Sequence, residues 1–346
     1  MNKRSSKKLL FTFDYELFLG RRSGTVSECL LQPTEKLLKI LRNHKIKAIF
    51  FVDSTYLIKL LSFKEKYPLA ANDWTNIVLQ LHQIIKDGHY LFPHLHPHWL
   101  DAQYRSDINE WDLSNCDKYR FSSISEGDKE LLWSNSMKVL REIINSIYPN
   151  YKIDSYRAGG WSIQPFSDFK PYFKKYGIVN DFSVIPGKYI QSSAHSFSFS
   201  EITCNSPYNF EGDILNRFET GEFKEYPISA ISYTRFQKWV YFKVSGIIKR
   251  LGLAGKANGS TVDAKIFKKG DTLLNGKFDR QVASIEGLNP VTLIKYIYEI
   301  NKKNYYQFIS HPKLLTKLEL VLLNILLFYL NNFTTFHSDF RISENI

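Results

Sequence analysis

Nine histidines are spread over 346 residues, and three of them, His94, His96 and His98, fall at alternate positions in YLFPHLHPHWL. An imidazole cluster is a metal-site signal, because neutral ring nitrogens are good ligands for zinc. A histidine-rich polar turn has the same composition, so the cluster does not decide its own chemistry. Other groups of the right type lie elsewhere: Asp14 and Glu16 in LLFTFDYELF, Arg157 in YRAGGW, Asp181 in IVNDFSVI and His311 in FISHP. Two apart on a strand, Asp14 and Glu16 point to the same side. One carboxylate can then bind a cation while the other stays free as a base. Pro97 excludes a regular helix interior at the histidines. Full extension would put the Cα atoms of His94 and His98 about 13 Å apart at ~3.3 Å per residue. Two nitrogens on one ion can be at most about 4 Å apart, so the segment should curl after His94 if both bind.

Groups so far apart in the chain meet only if the fold collects them. The β-prone runs LLFTFDYELF, AIFFVDSTYLI, the histidine stretch, SYRAGGW, IVNDFSVI, KEYPISAI, YQFISHPKLL and FTTFHSD alternate with helical spacings. Those spacings occur in PTEKLLKILRNHKI, WTNIVLQLHQIIKDGH, LLWSNSMKVLREIINSIY, PVTLIKYIYEINKKN and LELVLLNILLFYL. Such alternation predicts parallel βαβ units. About eight strands across most of the chain predict one α/β barrel rather than two domains. The expected organisation is a basic leader at 1–8 and a single barrel over 9–346, with insertions at about 101–130 and 186–285. In a parallel barrel the strand C-termini open on one face, which carries the site. The chemistry-bearing residues all fall at strand ends.

A hydrophobic content of 44% and a charged content of 23% fit a globular protein. The leader MNKRSSKK has no apolar h-region and does not resemble a secretory signal. Cys29, Cys116 and Cys204 form neither a disulfide framework nor a CxxC pair, which suits a reducing cytoplasm. LVLLNILLFYL is shorter than the ~20 residues of a spanning helix and reads as a buried one. The net charge of +12 favours acidic partners. Lys and Arg are dispersed and no nucleic-acid module is present, so an anionic glycan, a phosphate-bearing carrier or an anionic membrane surface is expected instead. RFQKWVYFKVSGIIKRLGL reads as an amphipathic basic helix, either interfacial on an anionic membrane or a lid packed on the barrel. KANGSTVDAK after it reads as a loop.

In their order along the chain, these motifs resemble those of the polysaccharide deacetylases, the NodB homology family. TFDYE stands where the family has TFDDG or a DxD variant, and GHYLFPHLHPH where it has a histidine pair at i and i+4 after a glycine-led strand. YRAGGW matches its arginine motif, FISHP its late histidine, and AIFFV looks like its second strand. The resemblance spans roughly Leu9 to Phe340. It implies a distorted (β/α) barrel of seven or eight strands and a divalent metal, with zinc expected. It also implies hydrolysis of the N-acetyl group of an amino sugar in a surface polysaccharide or its precursor.

Carried over by position, Asp14 matches the general base and Glu16 the metal carboxylate. His94 and His98 match the metal histidines, Arg157 the residue orienting the base, His311 the general acid and Asp181 the fourth motif. His96, between the two matched histidines, is expected to contact substrate or donate a hydrogen bond. Trp99 and Trp161 suit sugar stacking or core packing. His89, His337 and Asp339 read as structural. Glu16 departs from the family, which has Asp there; its extra methylene moves the ion or the strand. Two rivals follow: a non-catalytic glycan-binding barrel, and a metal-dependent hydrolase of an O-acetyl ester or cyclic amide.

Overall fold

A computed structural model describes residues 6–192, 194–253 and 280–341. The first five residues of the leader and KANGSTVDAK lie outside the described residues. The strands at the centre are β1 (Lys7–Tyr15), β2 (Ile49–Asp53), β3 (Tyr90–Leu95), β4 (Ser155–Ala158) and β5 (Asn180–Asp181). β2, β3 and β4 are buried throughout, and β1 is buried from Lys8 onward. Burial on both faces explains why these segments read as unbroken apolar runs rather than alternating ones. Fully burying a residue such as Phe11, Phe13, Phe50 or Phe51 contributes about 1.5–3 kcal/mol each.

β6 (Tyr208–Phe210), β7 (Phe223–Glu225), β8 (Tyr305–Ser310) and β9 (Phe336–His337) complete a nine-stranded sheet. Its order is β6-β7-β5-β4-β3-β2-β1-β8, with β9 also against β1, and every pairing is parallel except β6 with β7. Irregular chain bridges the sheet's two ends. Ser229 N donates to Gln307 O at 3.1 Å, Ala283 N to Ser229 O at 2.8 Å, and Ile309 N to Ala283 O at 3.0 Å. The result is a distorted, incompletely hydrogen-bonded α/β barrel.

Eight helices lie among the described residues: α1 (Gln32–Asn43), α2 (Ser54–Phe63), α3 (Pro68–Lys86), α4 (Glu126–Asn145), α5 (Lys170–Tyr176), α6 (Arg235–Arg250), α7 (Pro290–Lys302) and α8 (Lys317–Phe333). The run AIFFVDSTYLI is only half strand. Its Asp53 carboxylate accepts from Tyr56 N at 3.1 Å, so the chain turns there into α2, capped as an Asp side chain caps a helix start. α8 is the buried helix its leucines predict, with Leu323, Leu326, Leu327 and Leu330 inside. No helix among the described residues is long and apolar enough to cross a membrane. α6 differs from the rest: not one of its residues is buried.

Register does the positioning. Asp14 pairs with Phe51, Asp53 with His94, His94 with Arg157, and Phe13 with Ser310, one residue before His311. Parallel pairing thus brings strand ends from residues 14, 94, 157 and 310 to one level of the barrel.

Candidate metal and active site

Glu16 leaves the end of β1 and meets two imidazoles. Its Oε2 lies 2.7 Å from His96 Nε2 and 3.3 Å from His94 Nε2, and the two nitrogens are 3.0 Å apart. The three residues form a buried group whose ligand atoms all lie within 4.8 Å of one another. His94 Nδ1 sits 2.8 Å from the Arg157 carbonyl, which can only accept, so Nδ1 carries a proton and Nε2 is the nitrogen turned toward Glu16 and His96. His96 is held through its backbone, where its N–H donates to Thr55 Oγ1 at 2.8 Å. Electron-rich atoms so close in a dry site need positive charge between them. Donors at ~2.0–2.1 Å from a tetrahedral ion stand about 3.3 Å apart. The donor set, its spacing and the carbonyl that orients His94 therefore fit a divalent cation.

The sequence placed His98 in this set and His96 beside it; the structure exchanges them. β3 stays extended through Leu95, and its two-residue alternation sends His94 and His96 to the same side. A 3-10 turn over Pro97–Asp101 then carries His98 away, onto the ring of Tyr119 at 5.2 Å between centroids. Burial, with His96 close by, pushes the His98 pKa down to about 3, so it is a neutral imidazole. Neither of its ring nitrogens has a hydrogen-bond partner. Gly159 of YRAGGW is what lets that loop pass the histidines: a Cβ there would lie 2.3 Å from Leu95 O and 2.7 Å from His96 Nδ1.

Asp14 stands next to this group without joining it. Its Oδ1 accepts from Arg157 Nη1 at 2.5 Å, and its Oδ2 lies 3.9 Å from His94 Nε2 and 3.6 Å from His311 Nε2. Arg157 is fully buried, donating also to Thr12 Oγ1 at 2.7 Å and to Phe182 O at 3.0 Å, with its guanidinium 4.2 Å over the Phe51 ring. Burial opposes ionisation of Asp14, but Arg157, then His94 and His311, outweigh it and hold the carboxyl below its usual range.

His311 closes the ring of groups. Its Nε2 is 3.3 Å from Glu16 Oε1, while its Nδ1 meets Glu286 Oε1 at 2.7 Å and its backbone N–H donates to the same oxygen. Burial would lower the His311 pKa, but Glu286 and then the site carboxylates raise it to about 9, so the ring is charged at neutral pH. Lys313 Nζ donates to Glu16 Oε1 at 2.9 Å and to Leu17 O at 2.6 Å. One Glu16 oxygen faces Lys313 and the other the histidines. Burial opposes its charge, yet Lys313 and His96 hold it well below the usual carboxylate range.

No protein-family model matches the sequence, and no curated protein does. Solved structures similar to the chain include a Mycobacterium smegmatis protein assigned as a polysaccharide deacetylase, at 11% identity, with 98% of this chain and 88% of that one covered and a TM-score of 0.48. An allantoinase is similar at 10% identity, 99% and 89% coverage and a TM-score of 0.48. The catalytic domain of a peptidoglycan N-acetylglucosamine deacetylase from Eubacterium rectale is similar at 11% identity, 99% and 93% coverage and a TM-score of 0.37. Function is carried by the side chains.

Several further residues singled out by sequence lie outside this cluster. Asp181 is buried behind Arg157, where its oxygens accept from Ser183 N at 3.0 Å and Ser183 Oγ at 2.9 Å, and Ser183 Oγ in turn accepts from Ala158 N. Its neighbour Glu225 accepts from Val184 N at 3.1 Å. Burial first, then Asp181, pushes the Glu225 carboxyl well up. Trp99 is a core residue rather than a stacking platform: it is buried, donates from Nε1 to Asp53 Oδ2 at 2.6 Å, and packs on Tyr56 and Trp111. Trp161 is half-buried, packed on the small cluster of Ile185, Ile228 and Ile309. His89 is structural, its Nδ1 accepting from Ala48 N at 3.1 Å. Asp339 is structural too, accepting from Lys47 and Tyr90.

Sequence reasoning missed Glu286, Lys313 and Glu225. Lys313 carried a signal, two residues past His311 in SHPKL. Glu286 and Glu225 are single acids in unremarkable stretches and carried none.

Proposed function

We propose that the protein is a metal-dependent deacetylase that hydrolyses the N-acetyl group of an amino sugar in a polysaccharide or its precursor. The observation carrying this reading is geometric: the Asp14 carboxylate and the His311 imidazole stand 3.6 Å apart beside a group of cation ligands. Amide hydrolysis needs a base for the attacking water and an acid for the departing amine. Glu16, His94 and His96 would hold the ion, with zinc the expected choice for a carboxylate and two imidazoles. Such an ion polarises a carbonyl and acidifies water.

The chain's own residues do the rest. Arg157 occupies one oxygen of Asp14 and leaves the other to take a proton from water. Glu286 fixes the His311 ring through Nδ1, so that Nε2 presents the proton that the amine receives. Atoms balance as amide plus water giving acetate and amine. Asp181, with Glu225 and Ser183, acts behind Arg157 as support. Lys313 secures the Glu16 carboxylate, so Glu in place of the family's Asp is compatible with turnover. Trp161, half-open near the loop, would contact the sugar. On this reading the enzyme would serve surface-glycan assembly.

Acetate release from N-acetylated oligosaccharides, with O-acetylated sugars in parallel, tests the reading. Release from the O-acetylated series alone would make the protein an esterase. Release from neither by the metal-loaded protein would make it a non-catalytic barrel.

A further inference from the structure

α6 is a regular helix whose outer side is exposed among the described residues. Thr234 and Gln237 form a reciprocal cap at its start, so it is locally well specified. Tyr241, Val244, Ser245 and Ile248 are half-buried on its inner side. Outward stand Phe236, Trp239, Phe242 and Ile247, at 71%, 58%, 65% and 55% exposure, and Leu251 follows just past the helix end at 66%. Phe236 and Trp239 stack with centroids 6.0 Å apart. An unpaired apolar strip of this size is uncommon on a protein that meets only water.

Charge identifies what covers it. Between residues 235 and 253 there is no Asp or Glu, while Arg235, Lys238, Lys243, Lys249 and Arg250 supply five cations. By helical periodicity, Lys243 and Arg250 lie on the same outer side as Phe236, Trp239 and Ile247. Lys243 reaches over the Trp239 ring at 5.8 Å. A dry protein interface depletes lysine from its centre. Interleaved aromatics and cations instead match the boundary of a bilayer, where rings sink toward acyl chains and ammonium groups stay at the headgroups. A second copy of the chain would set this cationic strip against itself, on molecules that each carry +12.

We propose that α6 docks the protein on a membrane surface containing anionic lipid. The strip continues onto α7, where Ile294 and Tyr298 are exposed and a groove of about 810 Å³ runs between Phe236 and Val240 on one side and Ile294 and Tyr298 on the other. The helix is also tied to the wall of the site. Asn289 Nδ2 donates to Ser245 Oγ at 3.1 Å, three residues from the Glu286 that holds His311. Docking through α6 therefore brings the site mouth to the membrane. On the deacetylase reading, on which this step alone rests, the substrate is an acetylated sugar on a lipid carrier.

Co-sedimentation of the full chain with vesicles tests the docking without reference to turnover. Vesicles of phosphatidylcholine with one-third phosphatidylglycerol are expected to pull the protein down in low salt. Pure phosphatidylcholine is expected to do so weakly, and high salt to release it. Trp239→Ser with Phe242→Ser, and separately Lys243→Glu with Arg250→Glu, each lower the partition coefficient by on the order of tenfold or more. Circular dichroism and melting of both variants match wild type, because the changed residues are exposed. No binding to anionic vesicles overturns the proposal, as does equal binding to neutral ones or binding that neither variant weakens. A concentration-dependent dimer abolished by the serine variant would assign the strip to a second copy instead. Failure of docking leaves acetate release untouched, and failure of acetate release leaves docking untouched.

Discussion

Arg157→Met removes a buried charge while keeping a side chain of similar length, and its cost follows from the contacts. Arg157 is 0% exposed and Asp14 2%. The guanidinium donates to Asp14, Thr12 and the Phe182 carbonyl. Thr12 keeps a partner, because its hydroxyl also donates to Phe308 O at 2.6 Å. Asp14 loses the partner that offsets its burial, so the main loss is an uncompensated buried carboxylate. Breaking one side of a buried ion pair costs about 3–5 kcal/mol, and the orphaned Phe182 carbonyl adds about 1 kcal/mol or more. Urea denaturation of the metal-free protein, followed by circular dichroism, measures the total. Because the penalty is electrostatic, Asp14→Asn in the Arg157→Met background recovers part of it. The double-mutant cycle should give a coupling on the order of 2 kcal/mol. A loss below about 1 kcal/mol, or a double variant no more stable than Arg157→Met alone, would refute the reasoning.

Metal analysis by mass spectrometry should find that His96→Ala loses the divalent ion and His98→Ala keeps it; the reverse outcome would return His98 to the ligand set. Burial pushes the Glu225 carboxyl well up, so the neutral isostere Glu225→Gln should melt within a degree or two of wild type, whereas Glu225→Ala, which leaves Val184 N unmatched, should melt clearly lower; equal melting of the two variants would argue against a neutral Glu225. His311 has a folded pKa raised to about 9 from an unfolded 6.5, so its stabilisation is complete below about 6.5 and fades as pH rises through 9. His311→Gln should flatten that part of the stability profile, and an unchanged slope would argue against the Glu286 pairing. As the acid that protonates the amine, His311 should also contribute ~10²–10⁴-fold to the rate, read as slower acetate release by His311→Ala with metal retained.

Much of the framework was legible because parallel sheets write themselves as buried apolar runs between amphipathic helices. Asp14, Glu16, His94, Arg157 and His311 each follow such a run, and parallel register turned that sequence position into a shared place. His96 against His98 was not legible, since the choice depends on where β3 ends. A strand that runs on through Leu95 sends His96 to the side of His94, and no residue type marks that end before the 3-10 turn at Pro97. AIFFVDSTYLI misled for a related reason: one apolar run served a strand and then a helix, with Asp53 the only punctuation. Trp99 could not be separated from a sugar platform by composition, because the partner of its Nε1 is Asp53, which only the fold brings to it. Glu286 and Glu225 act only through tertiary contacts, and single charges in loops and short strands give no warning of them.

The most direct test of the central claim is acetate released from an N-acetylated oligosaccharide by the zinc-loaded protein, compared with Asp14→Asn carrying the same metal. Wild type should release acetate, chelation should stop it, and Asp14→Asn should retain the ion yet release none above background. Release by Asp14→Asn at the wild-type rate, or no release by the loaded wild type, would contradict the assignment of Asp14 as the base of a metal-dependent deacetylase.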